Sequence, residues 1–440
     1  MFSLIVLPVA KPFLASGNSK SYYSGGPFVS SCNFVRWRVR GLVMKQILAL
    51  ILSVSLVASC ATAPYTGRSQ VILVSEGQEA SLGDDAYRHH LRDSVVTHDA
   101  DAERIVRKVG ERIARAANKP DYKWEFTVIN DPETVNAFAV PGGKVAVYTG
   151  IFGPARDEAG LAVVLGHEVA HALARHPAER MSQGMLLQLG GVGLGVALGR
   201  NPALANQVLQ AYGITAGVGV ALPFSRSQET EADRIGLILM AKAGYDPRTA
   251  LELWERMEKK EGGKGAPPEF LSTHPGYETR IHQLGSFLPE ALNYYHASAA
   301  RIETLPSPQS LDTATAKSER ELLKRMSAIN RFVEEQSGER PVVEALAYEL
   351  RTSPQIVFQE RQQLRVGYGQ YAALRGVSYL GRGSINRVVE QYQRGLSWSE
   401  ITSNNGSRLN ELTVWIGDVM RMTNNMGRQL RNQQPRPNVR

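Results

Sequence analysis

Leu165-Gly166-His167-Glu168-Val169-Ala170-His171-Ala172 is the stretch on which the reading of this chain turns. Residues four apart share one face of a helix, so His167 and His171 can present their imidazoles to a single metal ion. Glu168 sits one position on, where its carboxylate reaches water beside the metal rather than the metal itself. The surrounding run, Leu161 to Leu173, is expected to be an amphipathic helix and so a rigid platform for ligands. Two histidines leave a catalytic zinc one ligand short, because such sites typically take three protein ligands and keep a fourth position open. The candidate third ligand lies in Glu229-Thr230-Glu231-Ala232-Asp233. Glu229 and Asp233 are four apart on a predicted helix. One carboxylate can bind the metal while the other takes a hydrogen bond from a ligand histidine and fixes its tautomer.

Working outward, 440 residues with 43% hydrophobic and 21% charged side chains describe an ordinary globular protein with room for two or three domains. The net charge of +8 is uneven, since residues 1–59 carry six basic side chains and no acidic one. The remaining arginines are dispersed, without the basic stripe and interleaved aromatics of a nucleic-acid binder, so no nucleic-acid partner is expected. Two cysteines, Cys32 and Cys60, exclude a disulfide framework and a cysteine zinc site. Met44 and Lys45 precede an apolar run from Ile47 to Val57, followed by Val57-Ala58-Ser59-Cys60. This is the layout of a secretory signal, and the run is too short to span a bilayer as a helix. Its last four residues resemble a bacterial lipobox. That likeness implies a lipidated Cys60 as mature N-terminus and membrane anchor, and Ala61 implies sorting to the outer membrane. Residues 1–43 have no pattern that suits a fold, and a true start at Met44 would explain them.

Helices are predicted from Ser75 to Arg92, from Asp99 to Ala117, as one long element over 156–181, from Gln228 to Ala243 and from Asp246 to about Glu261. Strands are predicted at Lys123–Ile129 and, after the turn Pro141-Gly142-Gly143, at Lys144–Tyr148. Residues 184–222 are apolar and glycine-rich, and read as a buried or loosely folded helical hairpin split at Asn201-Pro202, with membrane contact as the alternative. Residues 297–317 read as a linker. Residues 318–423 read as several short helices, with Ser318 as a predicted N-cap, and residues 424–440 as a disordered tail.

Further motifs sit in order around the histidine pair. Asn136-Ala137-Phe138-Ala139-Val140-Pro141-Gly142-Gly143 and Val145-Ala146-Val147-Tyr148-Thr149-Gly150 precede it. Glu229-x-x-Ala232-Asp233-x-x-Gly236, then Thr273-His274-Pro275 with Arg280-Ile281, follow it, and Pro64-Tyr65-Thr66-Gly67-Arg68 lies near the N-terminus. Together these resemble the HtpX/BepA-type zinc metallopeptidases, relatives of the CAAX-prenyl proteases, especially their periplasmic lipoprotein members. The likeness covers roughly residues 60–290.

The resemblance selects Glu229 as third ligand to one Zn2+ per chain, with Asp233 behind it. It makes Val145, Ala146, Val147 and Tyr148 an edge strand that binds substrate by β-addition. It gives His274 a regulatory role at the metal, and Arg280 either oxyanion stabilisation or an ion pair that pins its loop. His176, five residues after His171, falls off the ligand face of a continuous helix and reads as structural.

The expected fold is therefore α+β and zincin-like, mostly helical with a small sheet, followed by a helical accessory module. The expected domains are 1–59 (extension and signal), 60–296 (zinc metallopeptidase), 297–317 (linker), 318–423 (helical module) and 424–440 (tail). The expected function is endoproteolysis of unfolded or misassembled envelope proteins by an enzyme in the bacterial periplasm, lipid-anchored to the outer membrane. Residues 318–423 either bind a protein partner or are a packing appendage. A zinc-stabilised chaperone or assembly factor, its cleavage suppressed by His274, is the alternative.

Overall fold

The computed structural model describes residues 60–189, 224–261, 270, 274, 277–296, 302–334 and 338–433. The signal segment, Asn201-Pro202 with most of the apolar 184–222 stretch, Thr273, Pro275 and the last seven residues lie outside these.

The described chain opens with a hairpin of β1 (Cys60–Thr62) and β2 (Ser69–Val71). Its turn is closed by Ala63 N donating to Arg68 O at 2.9 Å. Helix α1 (Glu76–Arg92) starts at Ser75, whose hydroxyl and Gln78 form a reciprocal capping box. Helix α2 (Ala100–Ala117) is capped by Asp99 and buries Ile105, Val109 and Ile113 along one stripe. The sheet follows: β3 (Glu125–Ile129), β4 (Ala137–Val140) and β5 (Lys144–Tyr148). Between β4 and β5, Gly142 and Gly143 adopt φ of 90° and 92°, which a side chain would strain.

The strand order is β3-β5-β4, with β5 parallel to β3 and antiparallel to β4. This corrects the expectation that Val145, Ala146, Val147 and Tyr148 form an edge. Both sides of β5 are already hydrogen-bonded, so it offers no free ladder to a substrate. The edges are β3 and β4, and of these β4 packs against the histidine helix.

That helix, α3 (Glu158–Leu173), is capped by Asp157, which accepts from Ala159 N and Gly160 N. All sixteen of its residues are buried, so it is a central core helix rather than the expected amphipathic one. Nor does it run on to residue 181. Arg175, at φ 58°, breaks the chain, and α4 (His176–Leu189) departs in a new direction. Helices α5 (Arg226–Lys242), α6 (Thr249–Glu261) and α7 (Tyr277–Leu292) complete this part. A capping box of Ser225 and Gln228 starts α5.

Residues 302–313 are docked rather than a free linker. Thr304 bridges to Asp157, Leu305 N donates to Arg156 O at 2.9 Å, and Leu305 and Leu311 are buried in the peptidase core. A second core is built by α8 (Ala314–Phe332), α9 (Arg340–Glu349), α10 (Pro354–Leu364), α11 (Tyr368–Gly381), α12 (Ile385–Gln393), α13 (Trp398–Asn404) and α14 (Leu409–Gln433). Thr313, not Ser318, caps α8. Residues 424–433, expected in the tail, belong to α14. The architecture is a mostly helical α+β zincin-like domain with a small sheet and a C-terminal helical region.

Candidate metal centre

Two glycines set the geometry. A Cβ on Gly166 would stand 2.8 Å from Gly236 O, and one on Gly236 would stand 2.9 Å from His167 N. Helices α3 and α5 therefore cross in backbone contact, with room for no side chain at the crossing. The contact brings the first turn of α5, which carries Glu229, against the ligand face of α3.

The donors converge there. Among the described residues, His167, His171, Glu229 and His274 each present one ligand atom, all within 4.8 Å of one another, and all four are buried. His171 Nε2 lies 3.1 Å from His167 Nε2 and 3.4 Å from Glu229 Oε1, and His167 Nε2 lies 3.5 Å from Glu229 Oε2. His274 Nδ1 stands 2.9 Å from Glu229 Oε1 and 3.3 Å from His167 Nε2. Ring nitrogens turned towards one another and a carboxylate in a dry pocket form the nitrogen and oxygen donor set that zinc prefers. These residues fit the ion.

Asp233, one turn on from Glu229, lies with Oδ1 3.0 Å from His167 Nδ1, on the side of the ring away from the cluster. Arg280, 2% exposed, donates from Nε to Asp233 Oδ2 at 2.6 Å and from Nη2 to Glu229. Its guanidinium also lies 4.0 Å from the centroid of the Trp254 ring, and Nη1 donates to His274 O at 3.2 Å. A single buried cation thus ties two carboxylates to the main chain of the His274 segment.

Burial opposes the charge on Glu229, yet His274 and Arg280 hold its carboxyl well below the ordinary range. Burial likewise works against protonation of His167, but Asp233 and Glu229 outweigh it and raise the ring to about 9. At His171 burial wins and pushes the ring well below its usual value. Burial pushes the Glu168 carboxyl up. Its Oε1 makes no hydrogen bond among the described residues and stands 3.4 Å from His274 Nε2. A buried carboxyl whose protonated form is favoured in this way, beside a metal-ligand set, is the kind of group that takes up and returns protons.

His176 was not legible as part of this site, because a helix continuing through 175 would turn it away. The break at Arg175 swings its ring back, and His176 Nδ1 lies 2.8 Å from His171 Nδ1.

The sequence model of Peptidase family M48 matches residues 100–287. Over 250 residues the chain is 38% identical to the mitochondrial metalloendopeptidase OMA1 of Schizosaccharomyces pombe, an alignment covering 56% of this chain and 72% of that protein. The chain belongs to peptidase family M48. Two further relatives in this family are the human mitochondrial metalloendopeptidase OMA1 and the Beta-barrel assembly-enhancing protease of Escherichia coli. The first is 33% identical over 52% of this chain and 46% of its own length, the second 31% over 51% and 46%.

As an M48 member the chain is a metalloendopeptidase, and its metal is zinc. The expected location in the bacterial periplasm, on the outer membrane, is overturned. The fission yeast and human relatives, at higher identity than the bacterial one, are named as mitochondrial proteins. The likeness to a lipobox rests on four residues at 57–60, whereas the mitochondrial likeness extends over half the chain. Among the described residues, no helix of this M48 member is long and apolar enough to cross a membrane.

Proposed function

We propose that His167, His171 and Glu229 hold the catalytic zinc, with Glu168 as general base for hydrolysis of a peptide bond within an extended polypeptide. The observation that carries this is the meeting of α3 and α5 at Gly166 and Gly236, which sets Glu229 against both histidines and leaves Glu168 Oε1 unbonded beside them. When bound, zinc acidifies water and polarises a carbonyl. Glu168 takes up the proton released by the attacking water and returns it to the leaving amine. The Asp233 carboxylate, 3.0 Å from His167 Nδ1, favours a proton on that nitrogen and so leaves the other one bare towards the cluster. Arg280 neutralises Glu229 and Asp233 and anchors the His274 segment.

His274 stands within the donor set, and Phe270 N donates to Val135 O at 3.1 Å, just ahead of the edge strand β4. We read this as a latent arrangement in which His274 takes the position that water needs, with Phe270 held beside the start of β4. That reading is also the specific support for the chaperone alternative. Unfolded or misassembled membrane-associated proteins are the proposed substrates. The name of the Escherichia coli relative, which refers to β-barrel assembly, supports that class, and the sequence order from Met44 to Cys60 supports a tether at Cys60.

Glu168→Gln is expected to keep stoichiometric zinc and lose casein cleavage by about 10²–10⁴-fold, whereas His167→Ala loses the zinc. Proteolysis by a zinc-loaded Glu168→Gln enzyme at the wild-type rate would overturn the assignment. Full complementation of a deletion strain by that variant would favour the chaperone.

A further inference from the structure

We propose that His176, Glu231 and Arg68 form a positioning relay through which the N-terminal hairpin sets the tautomer of His171, and with it the strength of the metal site. The inference rests on His171 Nε2 being a zinc ligand, as proposed above.

Four links make the relay. His171 Nδ1 lies 2.8 Å from His176 Nδ1, and His176 Nε2 lies 2.9 Å from Glu231 Oε2. Arg68 donates from Nε to that same oxygen at 2.8 Å, and the Thr66 hydroxyl donates to the other oxygen, Oε1. Arg68 is itself held at its far end, where Nη1 and Nη2 each donate to Glu179 at 2.8 Å. Gln228 Nε2 donates to Glu179 as well, at 2.8 Å. His176, Glu231 and Glu179 are buried. Thr66 and Arg68 sit in and just after the hairpin turn, more than 160 residues before Glu231 in the chain.

The order of the protons follows from the hydrogen-bonding capacity of each group. A guanidinium only donates, so Glu231, taking Arg68 and the Thr66 hydroxyl, is a carboxylate and only accepts. His176 must then carry a proton on Nε2. One proton lies between the two Nδ1 atoms at 2.8 Å, because two would clash and none would leave both lone pairs facing. With Nε2–H on His176 its Nδ1 accepts, and His171 Nδ1 donates. His171 Nε2 is thereby left with a bare lone pair turned into the cluster, as a metal ligand requires.

The same result is reached from the metal side, since a neutral histidine that ligates through Nε2 must carry its proton on Nδ1. The two derivations agree without any change of charge along the chain. At His167 the equivalent partner is a carboxylate in direct contact, Asp233. At His171 a second imidazole carries the effect across to a carboxylate and to the hairpin.

Removing the acceptor disrupts this order. Because His176 Nε2 and Arg68 Nε share Glu231 Oε2, an amide in Glu231→Gln would keep its oxygen in that place and turn its nitrogen to the Thr66 hydroxyl, which accepts as well as donates. Glu231→Leu instead leaves the Nε2–H of His176 buried without an acceptor, which favours its other tautomer and places a proton on His171 Nε2. The test is zinc affinity of the full chain, measured by competition with a chromophoric chelator, for wild type, Glu231→Leu, the conservative Glu231→Gln, His176→Phe, His176→Asn and Arg68→Gln. It is combined with 15N-histidine spectra of the zinc-free proteins, which report each ring's tautomer.

Glu231→Leu and His176→Phe are expected to weaken zinc binding about 10–100-fold, with Glu231→Gln close to wild type. His176→Asn, whose side-chain oxygen stands near the place of Nδ1, should recover part of that loss. The His171 signature should change from Nδ1–H to Nε2–H in Glu231→Leu and stay Nδ1–H in Glu231→Gln. A purely structural role would lower the melting temperature without reversing the tautomer. If His176→Phe does not fold, Arg68→Gln, at the partly exposed end of the relay, tests the same dependence. Wild-type zinc affinity in Glu231→Leu and Arg68→Gln, or Nε2–H at His171 in the wild type, would overturn the inference. Failure of the wild type to bind zinc, or retention of zinc by His171→Ala, would instead overturn the ligand assignment beneath it.

Discussion

Gly236 shows how much of the site depends on atoms that are missing from a side chain. Gly236→Ala must separate two helices whose backbones already touch, and overpacking of this kind costs about 1–3 kcal/mol. The variant should melt earlier and bind zinc more weakly, both measurable on one preparation, while Gly153→Ala, where a Cβ would meet nothing within 4 Å, should change neither.

His90 permits a pH prediction away from the metal. Burial lowers its ring to about 4, with His89 adding to the effect, and Nε2 lies 2.5 Å from the Tyr148 hydroxyl. The folded ring resists protonation while the unfolded one accepts a proton below about 6.5. This contribution is therefore complete above about pH 6.5 and is lost progressively as pH falls to about 4. The loss is about 3 kcal/mol, and denaturant titrations of wild type against His90→Gln should converge across that window.

At the scale of single residues the sequence was informative wherever spacing was enough. His167, Glu168 and His171 follow from a period of four, and Glu229 with Asp233 from the same period on another helix. His176 could not be found that way, because its position depends on a left-handed residue, Arg175, whose type gives no hint of that conformation.

That break is best understood at the scale of elements. Arg175 adopts φ 58° while Nε pairs with the buried Glu79 at 2.7 Å and Nη2 donates to Val74 O at 2.9 Å. The tertiary anchor holds the turn, and neither helix propensity nor capping chemistry announces it. Arg175→Ala would leave Glu79 buried without this partner, and a loss of about 3–5 kcal/mol is expected. Lysine should restore part of it, and chemical denaturation of the three proteins would measure both effects.

The other misread element is β5. Its residues, its start after the glycine turn and its length were all legible, but not its neighbours, because strand order depends on contacts that no local pattern encodes. The amphipathic reading of α3 failed for a related reason. Small residues such as Ala159, Gly160, Ala162 and Ala170 are buried along with the large ones, so no polar face is left.

For the molecule as a whole, the C-terminal core meets the rest of the described fold through polar contacts and one buried valine. Gln370 Nε2 donates to Asp93 Oδ1 at 2.9 Å, Arg320 Nη1 donates to Asn130 O at 3.0 Å, and Val95 is packed into the C-terminal core. None of these residues touches the metal cluster. Ending the chain before Ala314 should lower the melting temperature by uncovering Val95, yet leave zinc stoichiometry unchanged by metal analysis. Loss of the metal in that truncation would mean that the helical region supports the site directly. The helical character of residues 318–423 was legible from their pattern. The docking of residues 302–313 was not, since an Ala-, Ser- and Pro-rich stretch reads alike whether it is free or pinned by a few main-chain bonds.

The crossing of α3 and α5 has a consequence for how this scaffold tolerates change. Where main chain rests on main chain, the spacing between the two halves of the zinc cage is fixed by peptide groups, which drift in sequence does not alter. The apolar layers around Leu161, Leu165, Ile235 and Leu239 are therefore free to exchange one hydrocarbon shape for another, and redesigned variants can gain or lose rigidity there while the donor atoms stay in register.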